Sequence, residues 1–488
     1  MKLRWLKFAI AFLIPLIGVM VCNGVNLDND SWGVIANGRE ITENGVYYED
    51  QLSMHEGLEV VVQNYGFAVV FYWLYSAFGP VGIFVIMLLF NLLLCWLIYK
   101  ICMLISNKNE NLSLFIMILT DLLLSRWFIV TRAQVVSFCV IMLVVYLLEL
   151  YIKRGKSKYL WWIPLLSLFE INSHASVWPI IPIVLVVYII DSFKSKKLHL
   201  QGYKTKPLLI TLAGSVLVGL INPYGFKMMT LILTSYSVPE AQDFVSELAA
   251  FRPLGDNSGL LLYVSIVFVI LLYIFGKKQN IRMRWLILLF GFLALGLNTV
   301  RGMGYLILVL LFPLAAVYQD FSLSAKYKKW CRIAMIWMGI MAVAVTIITM
   351  VIRVPEMIDG PSKELISAVD KIDEFTEGKD KKSLKVYADY NFGGFLEYRG
   401  YKPYIDPRME VFIKVNNGKE DIFQEFYYLG RGKDGLSKQE FLEKYNFDYL
   451  LVLDYDMLFD YDFESMGYAK IYENKNEDGE ATLRVFKR

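Results

Sequence analysis

The 488-residue chain is 56% hydrophobic and 15% aromatic, and only 19% of its residues are charged. This composition is too apolar for an ordinary soluble protein and indicates a polytopic membrane protein. The net charge of +3 is small, and the polar segments carry no basic patch interleaved with aromatic residues, so nucleic-acid binding is not expected.

The first predicted element is an uncleaved membrane helix in MKLRWLKFAIAFLIPLIGVMVCNG. The stretch has no small-residue cleavage site before a soluble domain, and further apolar segments follow it. Lys2, Arg4 and Lys7 precede the apolar run, so the positive-inside rule places the N-terminus in the cytoplasm. Residues 23–80 are therefore predicted to form an outer loop that carries catalytic residues.

The later spans are predicted from apolar stretches that alternate with basic clusters. Residues 58–79 are apolar enough to cross the membrane, but a crossing there would move every later basic loop to the outside. We therefore predict an interfacial helix for this stretch and a second span at 81–103. Hairpins of two spans each follow at 112–152, 159–193, 207–276 and 285–318, and a last span at 333–352 brings the total to about eleven.

The composition changes sharply at Arg353, after which charged residues and turn formers dominate. LKVYADYNFGGFLEY and FDYLLVLDY are typical of strands, and LSKQEFLEKYN is typical of a helix. The predicted fold is mainly α: a polytopic membrane helix bundle, residues 1–352, followed by a small extracytoplasmic α/β domain, residues 353–488.

Carboxylates and arginines gather on the predicted outer face. Arginine binds phosphate through several donors, and a carboxylate can take a proton from an attacking hydroxyl, so this set suits a reaction on a lipid-linked phosphate. The candidates are Asp28, Asp30, Asp50, His55, Glu56, Arg132, Asn172, His174 and Arg301.

Each candidate also has a simpler interpretation. Asp28 or Asp30 could cap a helix that begins near Trp32. Arg132 and Arg301 could be anchors at the ends of spans, and His174 could be an ordinary interfacial histidine. Asp121, inside an apolar stretch, is a functional candidate that could equally pair with a neighbouring helix.

A metal site has weak support. Only three histidines are present, and the five cysteines stand singly without CxxC spacing. Asp28 and Asp30 have the DxD spacing of carboxylate metal sites, but oxygen ligands from elsewhere would be needed. No metal ligand is predicted, and a divalent cation stays an open alternative.

The ordered motifs resemble those of the GT-C class of integral-membrane glycosyltransferases, especially uncharacterised bacterial members that are family-39-like or dolichyl-phosphate-mannose protein mannosyltransferase-like. The first-loop motifs are DSWGVIANG, NGVYYEDQLS and HEGL, and the later ones are TRAQ, INSHAS, NPYG, NTVRGMG, GGFLEY and YIDPR. Three positions depart from the family pattern: Val34 replaces a histidine, Gly57 a tryptophan and Ala133 a proline.

The resemblance implies a plasma-membrane enzyme that moves a sugar from a polyprenyl-phosphate donor to a glycan, lipid or protein acceptor on the outer face, with inversion. It implies that Asp30 is the general base and that Arg301, with Arg132, binds the donor phosphate. Alternatives are a lipid-linked glycan ligase or polymerase and a non-enzymatic transporter or flippase. A transporter typically carries charges in the middle of its spans, whereas most here lie at predicted outer ends, which favours an enzyme.

Overall fold

The computed structural model describes residues 2–22, 27–125, 128–195, 197–198, 200–235, 238–245, 248–249, 281–318, 363–431 and 435–488, together with positions 337, 344 and 348. The chain is mainly helical, with a small sheet near its C-terminus. It divides into two compact units. The helical unit comprises Met1–Val25, Phe84–Met229 and Val245–Pro355, and the α/β unit comprises Asn26–Ile83, Thr230–Phe244 and Glu356–Arg488.

The helices are numbered here in chain order. They are α1 (Lys2–Cys22), α2 (Asn29–Asn44), α3 (Tyr65–Ile105), α4 (Glu110–Ser125), α5 (Ala133–Arg154), α6 (Trp162–Ser173), α7 (Ile180–Ser192), α8 (Thr205–Leu217), α9 (Phe226–Ser235), α10 (Pro239–Phe244), α11 (Met283–Asn298), α12 (Gly302–Leu310), α13 (Phe312–Val317), α14 (Lys363–Phe375), α15 (Gly393–Tyr398), α16 (Lys414–Asn417), α17 (Ile422–Tyr428) and α18 (Lys438–Tyr445).

In the helical unit, α1 packs on α4, and α5 packs on α6 and α7. By length and composition, α3 and α5 could each cross a bilayer, and several shorter apolar helices accompany them. The predicted total of about eleven spans stays a prediction. The predicted last span, 333–352, lies outside the described residues apart from three isolated helical positions, 337, 344 and 348. Residues 250–276 of the third hairpin also lie outside them.

The helix predicted for residues 58–79 begins at Tyr65. The residues before it pair with the preceding chain, because Asp50 N–H donates to the Leu58 carbonyl and Val60 N–H donates to the Tyr48 carbonyl, at 2.8 and 3.0 Å. These backbone groups are therefore not available to a helical turn. The helix continues to Ile105, with one non-helical residue, Gly79, at φ 61° and ψ −158°. This left-handed backbone favours glycine, and Pro80 follows it.

The sheet of the α/β unit has the strand order β2-β1-β3-β5-β4. The first strand, β1, pairs in parallel with both β2 and β3, while β5 pairs antiparallel with β3 and β4. The strand β3 is buried along its whole length. The strand bounds are β1 (Lys385–Ala388), β2 (Lys402–Pro403), β3 (Tyr449–Leu453), β4 (Ala469–Lys475) and β5 (Ala481–Lys487).

The predicted elements of the C-terminal segment are mostly confirmed. FDYLLVLDY contains β3, and LSKQEFLEKYN contains α18, whose capping box joins Ser437 and Glu440. The strand predicted across LKVYADYNFGGFLEY is wrong in its second half, because β1 ends at Ala388 and GGFLEY forms α15. The Asp389 carboxylate accepts the Asn391 N–H at 2.9 Å, which turns the chain out of the strand.

The α/β unit draws its core from distant parts of the sequence. The Phe244 ring, at the end of α10, contacts the rings of Tyr390, Phe423 and Phe426. Residues of the first loop pack on the C-terminal segment in the same unit, as Met54 N–H does in donating to the Pro403 carbonyl at 3.1 Å. The predicted domain boundary at 352/353 stays a prediction.

Candidate functional site

The two acidic residues that open the first loop have different positions. Asp28 is the N-cap of α2, and its Oδ1 accepts hydrogen bonds from the Ser31 N–H at 2.9 Å and the Ser31 hydroxyl at 2.6 Å. Asp30 lies in the first turn of the same helix and is half-buried. A carboxylate in the first helical turn interacts favourably with the helix dipole. The capping interpretation therefore applies to Asp28, and the role of Asp30 stays a prediction.

Asp50 belongs to a buried cluster of three carboxyl groups around Arg408. The Arg408 guanidinium donates to Asp50 Oδ1 at 2.7 Å, to Glu397 Oε1 at 2.9 Å and to Asp406 Oδ2 at 2.6 Å. Burial alone would raise the pKa of Asp50, but Arg408 and hydrogen bonds from Ser53 hold that pKa below its usual value. The pKa of Glu397 is raised well above its usual value, because burial and the neighbouring carboxyl groups oppose its ionisation. This cluster acts in the packing of the loop.

His55 and Glu56 also contact the C-terminal part of the α/β unit. The His55 Nε2 lies 2.8 Å from the Tyr404 carbonyl oxygen, and its ring packs against Tyr404 and Tyr445. Burial lowers the pKa of His55, and Nε2 is the donor in this hydrogen bond because a carbonyl oxygen can only accept. Glu56 is exposed, and its backbone carbonyl accepts from Lys419 Nζ at 3.3 Å.

The helical unit brings other predicted residues together around the first turn of α5. Arg132 is the N-cap residue of α5, and Ser137 on that helix lies 2.8 Å from Nδ1 of His174, which ends α6. Arg301, the N-cap residue of α12, lies close enough to His174 for its charge to act on the ring. Burial and this charge lower the pKa of His174, in the turn after α6. Asn172 donates to the Ile221 carbonyl at 3.0 Å, next to the NPYG turn.

Glu170 is a buried acidic residue that the sequence reasoning missed. It lies one helical turn before His174, and neither carboxyl oxygen makes a hydrogen bond to a residue that the structure describes. The Ser137 hydroxyl oxygen nearby lies 2.8 Å from His174 Nδ1. The signal was available as one charge inside the apolar run LSLFEINS, because an ionisable residue within a predicted span is a functional candidate by default.

Asp121, also inside an apolar helix, is fully partnered. Its carboxylate accepts from Asn91 Nδ2 at 3.0 Å, from Cys95 Sγ at 3.3 Å and from the Ser125 hydroxyl at 3.1 Å. Asp121 thus ties α4 to α3, as the pairing interpretation expected.

The described residues do not assemble a metal-ligand set. Within the ranges that the structure describes, no group of three or more His, Cys, Asp and Glu side chains is placed to hold a metal ion. One oxygen of Asp28 is already engaged by Ser31, so the DxD spacing does not present two free carboxylates. The carboxylates of the first loop therefore do not fit a resident metal ion on their own.

Comparison with solved structures shows what the fold is similar to. No protein-family model matches the chain, and no curated protein is similar to it in sequence. Among solved structures, the oligosaccharyltransferase of Archaeoglobus fulgidus, crystallised with zinc and sulfate, matches 98% of this chain and 72% of its own, with a TM-score of 0.54 and 13% identity. The chain has a GT-C glycosyltransferase fold.

The fold agrees with the predicted class of a mainly helical chain with a small α/β part near its C-terminus, while the number of spans stays a prediction. At 13% identity the match concerns the fold alone, so it assigns no role to any side chain. The structure places Asp28, Asp30, Asp50, His55 and Glu56 in the α/β unit. It places Arg132, Asn172, His174 and Arg301 in the helical unit.

Proposed function

We propose that the protein is a membrane glycosyltransferase that moves a sugar from a polyprenyl-phosphate-linked donor to an envelope acceptor. The acceptor is a glycan, a lipid or a protein. The observation that carries this proposal is the GT-C fold, which extends over 98% of the chain. Among the described residues, α3 and α5 are long and apolar enough to cross a bilayer, which supports the membrane location. We place the reaction on the outer face of the plasma membrane, with the N-terminus in the cytoplasm and the C-terminal segment outside.

On the acceptor side, we assign the general base to Asp30. It lies in the first turn of α2, and it is the residue that matches the first-loop acid in the resemblance to GT-C enzymes. The acceptor hydroxyl oxygen attacks the anomeric carbon, and the Asp30 carboxylate takes the hydroxyl proton. The bond between that carbon and the phosphate oxygen breaks in the same displacement. A single displacement inverts the anomeric configuration.

On the donor side, we assign the leaving phosphate to Arg301 and Arg132. The departing polyprenyl phosphate carries the negative charge that develops as the bond breaks, and guanidinium groups stabilise that charge through paired hydrogen bonds. His174 and Asn172 are secondary candidates at this end. Asp50 and His55 contribute by holding the first loop, since their contacts are with Arg408 and Tyr404.

A second candidate function is the transfer of a preassembled glycan from a lipid diphosphate. The structural similarity to an oligosaccharyltransferase favours this glycan-transfer function over a transporter function, because the similar protein transfers oligosaccharides according to its name. The two candidates differ in the donor that they consume.

The test is a transfer assay with purified protein and a cell-envelope extract. Labelled polyprenyl-monophosphate sugars and a labelled diphosphate-linked oligosaccharide are offered separately, and Asp30→Asn is compared with wild type. Asp478→Asn, in an exposed turn, is the matched control for the loss of one carboxylate. A parallel reaction with EDTA tests for a divalent cation.

We expect label from a monophosphate sugar to reach a new product with wild type and Asp478→Asn, and at least a hundredfold less with Asp30→Asn. Consumption of the diphosphate donor alone would replace the first candidate by the second. Release of label from neither donor, or an Asp30→Asn variant as active as wild type, would refute the assigned chemistry.

A further inference from the structure

The short helix α15 contacts two different segments through its two adjacent glycines. A Cβ atom on Gly393 would lie 2.2 Å from the Ile405 carbonyl oxygen and 2.6 Å from Asp406 Cα. A Cβ atom on Gly394 would lie 2.4 Å from the Asn29 carbonyl oxygen and 2.9 Å from Gly33 N. Both glycines therefore face backbone at distances that no side chain tolerates. Only Gly394 faces α2, and its contact is one residue from Asp30.

Two polar side chains of α2 reinforce this contact. Arg39 donates from Nη1 to the Tyr398 carbonyl and from Nη2 to the Glu397 carbonyl, each at 2.9 Å, so its guanidinium closes the C-terminal end of α15. Asn29 Nδ2 donates to the Tyr390 carbonyl at 3.1 Å, just before α15. Hydrogen bonds thus join the two segments on both sides of the glycine contact.

Aromatic packing fills the space between the same two helices. The buried Trp32 ring lies with its centre 5.3 Å from that of Phe395 and 4.7 Å from that of Tyr398. Trp32 follows Asp30 by two positions. Its ring contacts therefore fix the first turn of α2 against α15, in addition to the backbone contact at residue 29.

The helix α15 is itself held in place. Glu397 accepts from Arg408, whose guanidinium also binds Asp50 and Asp406. Gly393 packs directly on residues 405 and 406. The helix α15 is thus fixed to residues 405–408 on one side and is in close backbone contact with α2 on the other. The position of α15 therefore determines the position of α2.

We propose that α15 positions the first turn of α2, and with it Asp30, so that Gly394 and Arg39 are positioning residues of the transfer reaction. The inference rests on the proposed function, since it assumes that Asp30 is the base. A general base must lie within hydrogen-bond reach of the proton that it accepts, and a misplacement of about 1 Å costs on the order of a hundredfold in rate. The C-terminal segment thereby gains a defined role in the reaction.

The experiment compares Gly394→Ala with Gly33→Ala in the full-length protein. Both substitutions add one methyl group at the same helix contact. The methyl on Gly33 would meet only Glu397 Oε2 at 3.7 Å and Gly394 Cα at 3.9 Å, which are ordinary van der Waals distances. We measure kcat, the donor KM, and amide hydrogen exchange of residues 29–44 and 449–453.

For Gly394→Ala we expect at least a tenfold fall in kcat, a donor KM within twofold of wild type, and faster exchange in residues 29–44 alone. Gly33→Ala should match wild type in all three. A folded Gly394→Ala variant with wild-type kcat would overturn the inference. Faster exchange in residues 449–453 as well would also overturn it, because a general loss of stability would then explain the change.

Arg39→Lys keeps the inference testable if Gly394→Ala does not fold. Lysine retains the charge but has no planar fork for two carbonyl groups. We expect a three- to tenfold fall in kcat with faster exchange near the end of α2, and wild-type values for both would overturn the inference. The two proposals fail separately: inactive wild type contradicts the proposed function, while exchange in residues 29–44 reports on the contact whether or not sugar is transferred.

Discussion

Arg408 donates a hydrogen bond to Asp50 at 2.7 Å, and both side chains are almost wholly shielded from solvent. The same guanidinium forms salt bridges with Glu397 and Asp406. Burying one cation among three carboxyl groups costs free energy, because each charged group loses its hydration. The packing of the first loop on the C-terminal segment depends on this one side chain.

Removal of Arg408 should therefore be severe. Arg408→Ala leaves three buried carboxyl groups without their cation, and we expect a loss of about 3–5 kcal/mol in the free energy of unfolding. The control is Arg399→Ala, which removes a more exposed arginine paired with Asp370 and Asp373 and should cost about 1 kcal/mol or less. Thermal unfolding in detergent measures both, and equal losses would contradict the assigned importance of the cluster.

The role of Asp28 as a helix cap can be separated from chemistry. Asp28→Ala removes the acceptor for Ser31 and should destabilise by about 0.5–2 kcal/mol, whereas Asp28→Asn keeps a capping oxygen and should stay near wild type. Transfer activity should survive in Asp28→Asn and disappear in Asp30→Asn. Loss of activity in Asp28→Asn without loss of stability would show that the charge of Asp28 takes part in the reaction.

The arginines at the first turns of α5 and α12 should act on the leaving group. Arg301→Ala is expected to lower kcat about 10²- to 10³-fold, as does removal of other groups that stabilise developing charge. Arg132→Ala should have a smaller effect in the same direction. Arg154→Ala, at the opposite end of α5 from Arg132, is the matched control and should leave kcat unchanged. Initial rates at saturating donor decide this, and an equal fall in all three variants would point to a general effect of charge.

Asp456 should make a contribution to the stability of the α/β unit that is lost as the pH rises from about 4 to 6. Burial, with the nearby Asp389 charge, raises the pKa of Asp456 to about 6 from its usual 3.8, against the hydrogen bonds from Leu458 N–H and Tyr387. Folded Asp456 thus keeps a proton that the unfolded chain releases at lower pH, so the contribution of this residue to stability is full below pH 3.8 and is lost as the pH rises through 6. Asp456→Asn should flatten this dependence in thermal unfolding measured at each pH. The same slope in the variant would assign it to another group.

Glu170 should limit the stability of the helical unit. Its carboxyl group is buried and makes no hydrogen bond to a described residue, which is unfavourable whether the group is neutral or charged. Glu170→Met replaces it by an apolar side chain of similar length and should raise Tm by a few degrees. The neighbouring Phe169→Met is the control for the substitution itself. A fall in Tm in Glu170→Met alone would mean that the carboxyl group is stabilised by a partner.

Local signals predicted the local features of the fold. Ser437 and Glu440 stand three residues apart before an apolar pattern, and they form the capping box of α18. YLLVL is a short apolar run rich in β-formers, and it forms the buried strand β3. The cap at Asp28 follows from residues within three positions, and it was already one of the two interpretations weighed for that residue.

The misplaced elements depend on contacts between distant residues. GGFLEY looks like the end of a strand, but its glycines pack against residue 29 on one side and residue 405 on the other. Residues 58–60 are apolar enough for a helix, yet they pair with residues 48–50. Asp50 was a reasonable site candidate because its partner Arg408 lies far away in the sequence. A single sequence carries no signal for such pairings.

The order of synthesis sets a late step in the folding of this chain. Arg408 leaves the ribosome 358 residues after Asp50. At about 5–20 residues per second, this separation corresponds to about 20–70 s. Throughout that interval α2 and the loop after it exist without the cation and the helix that they pack against in the finished protein. The first loop therefore completes its packing only after the last quarter of the chain has been synthesised.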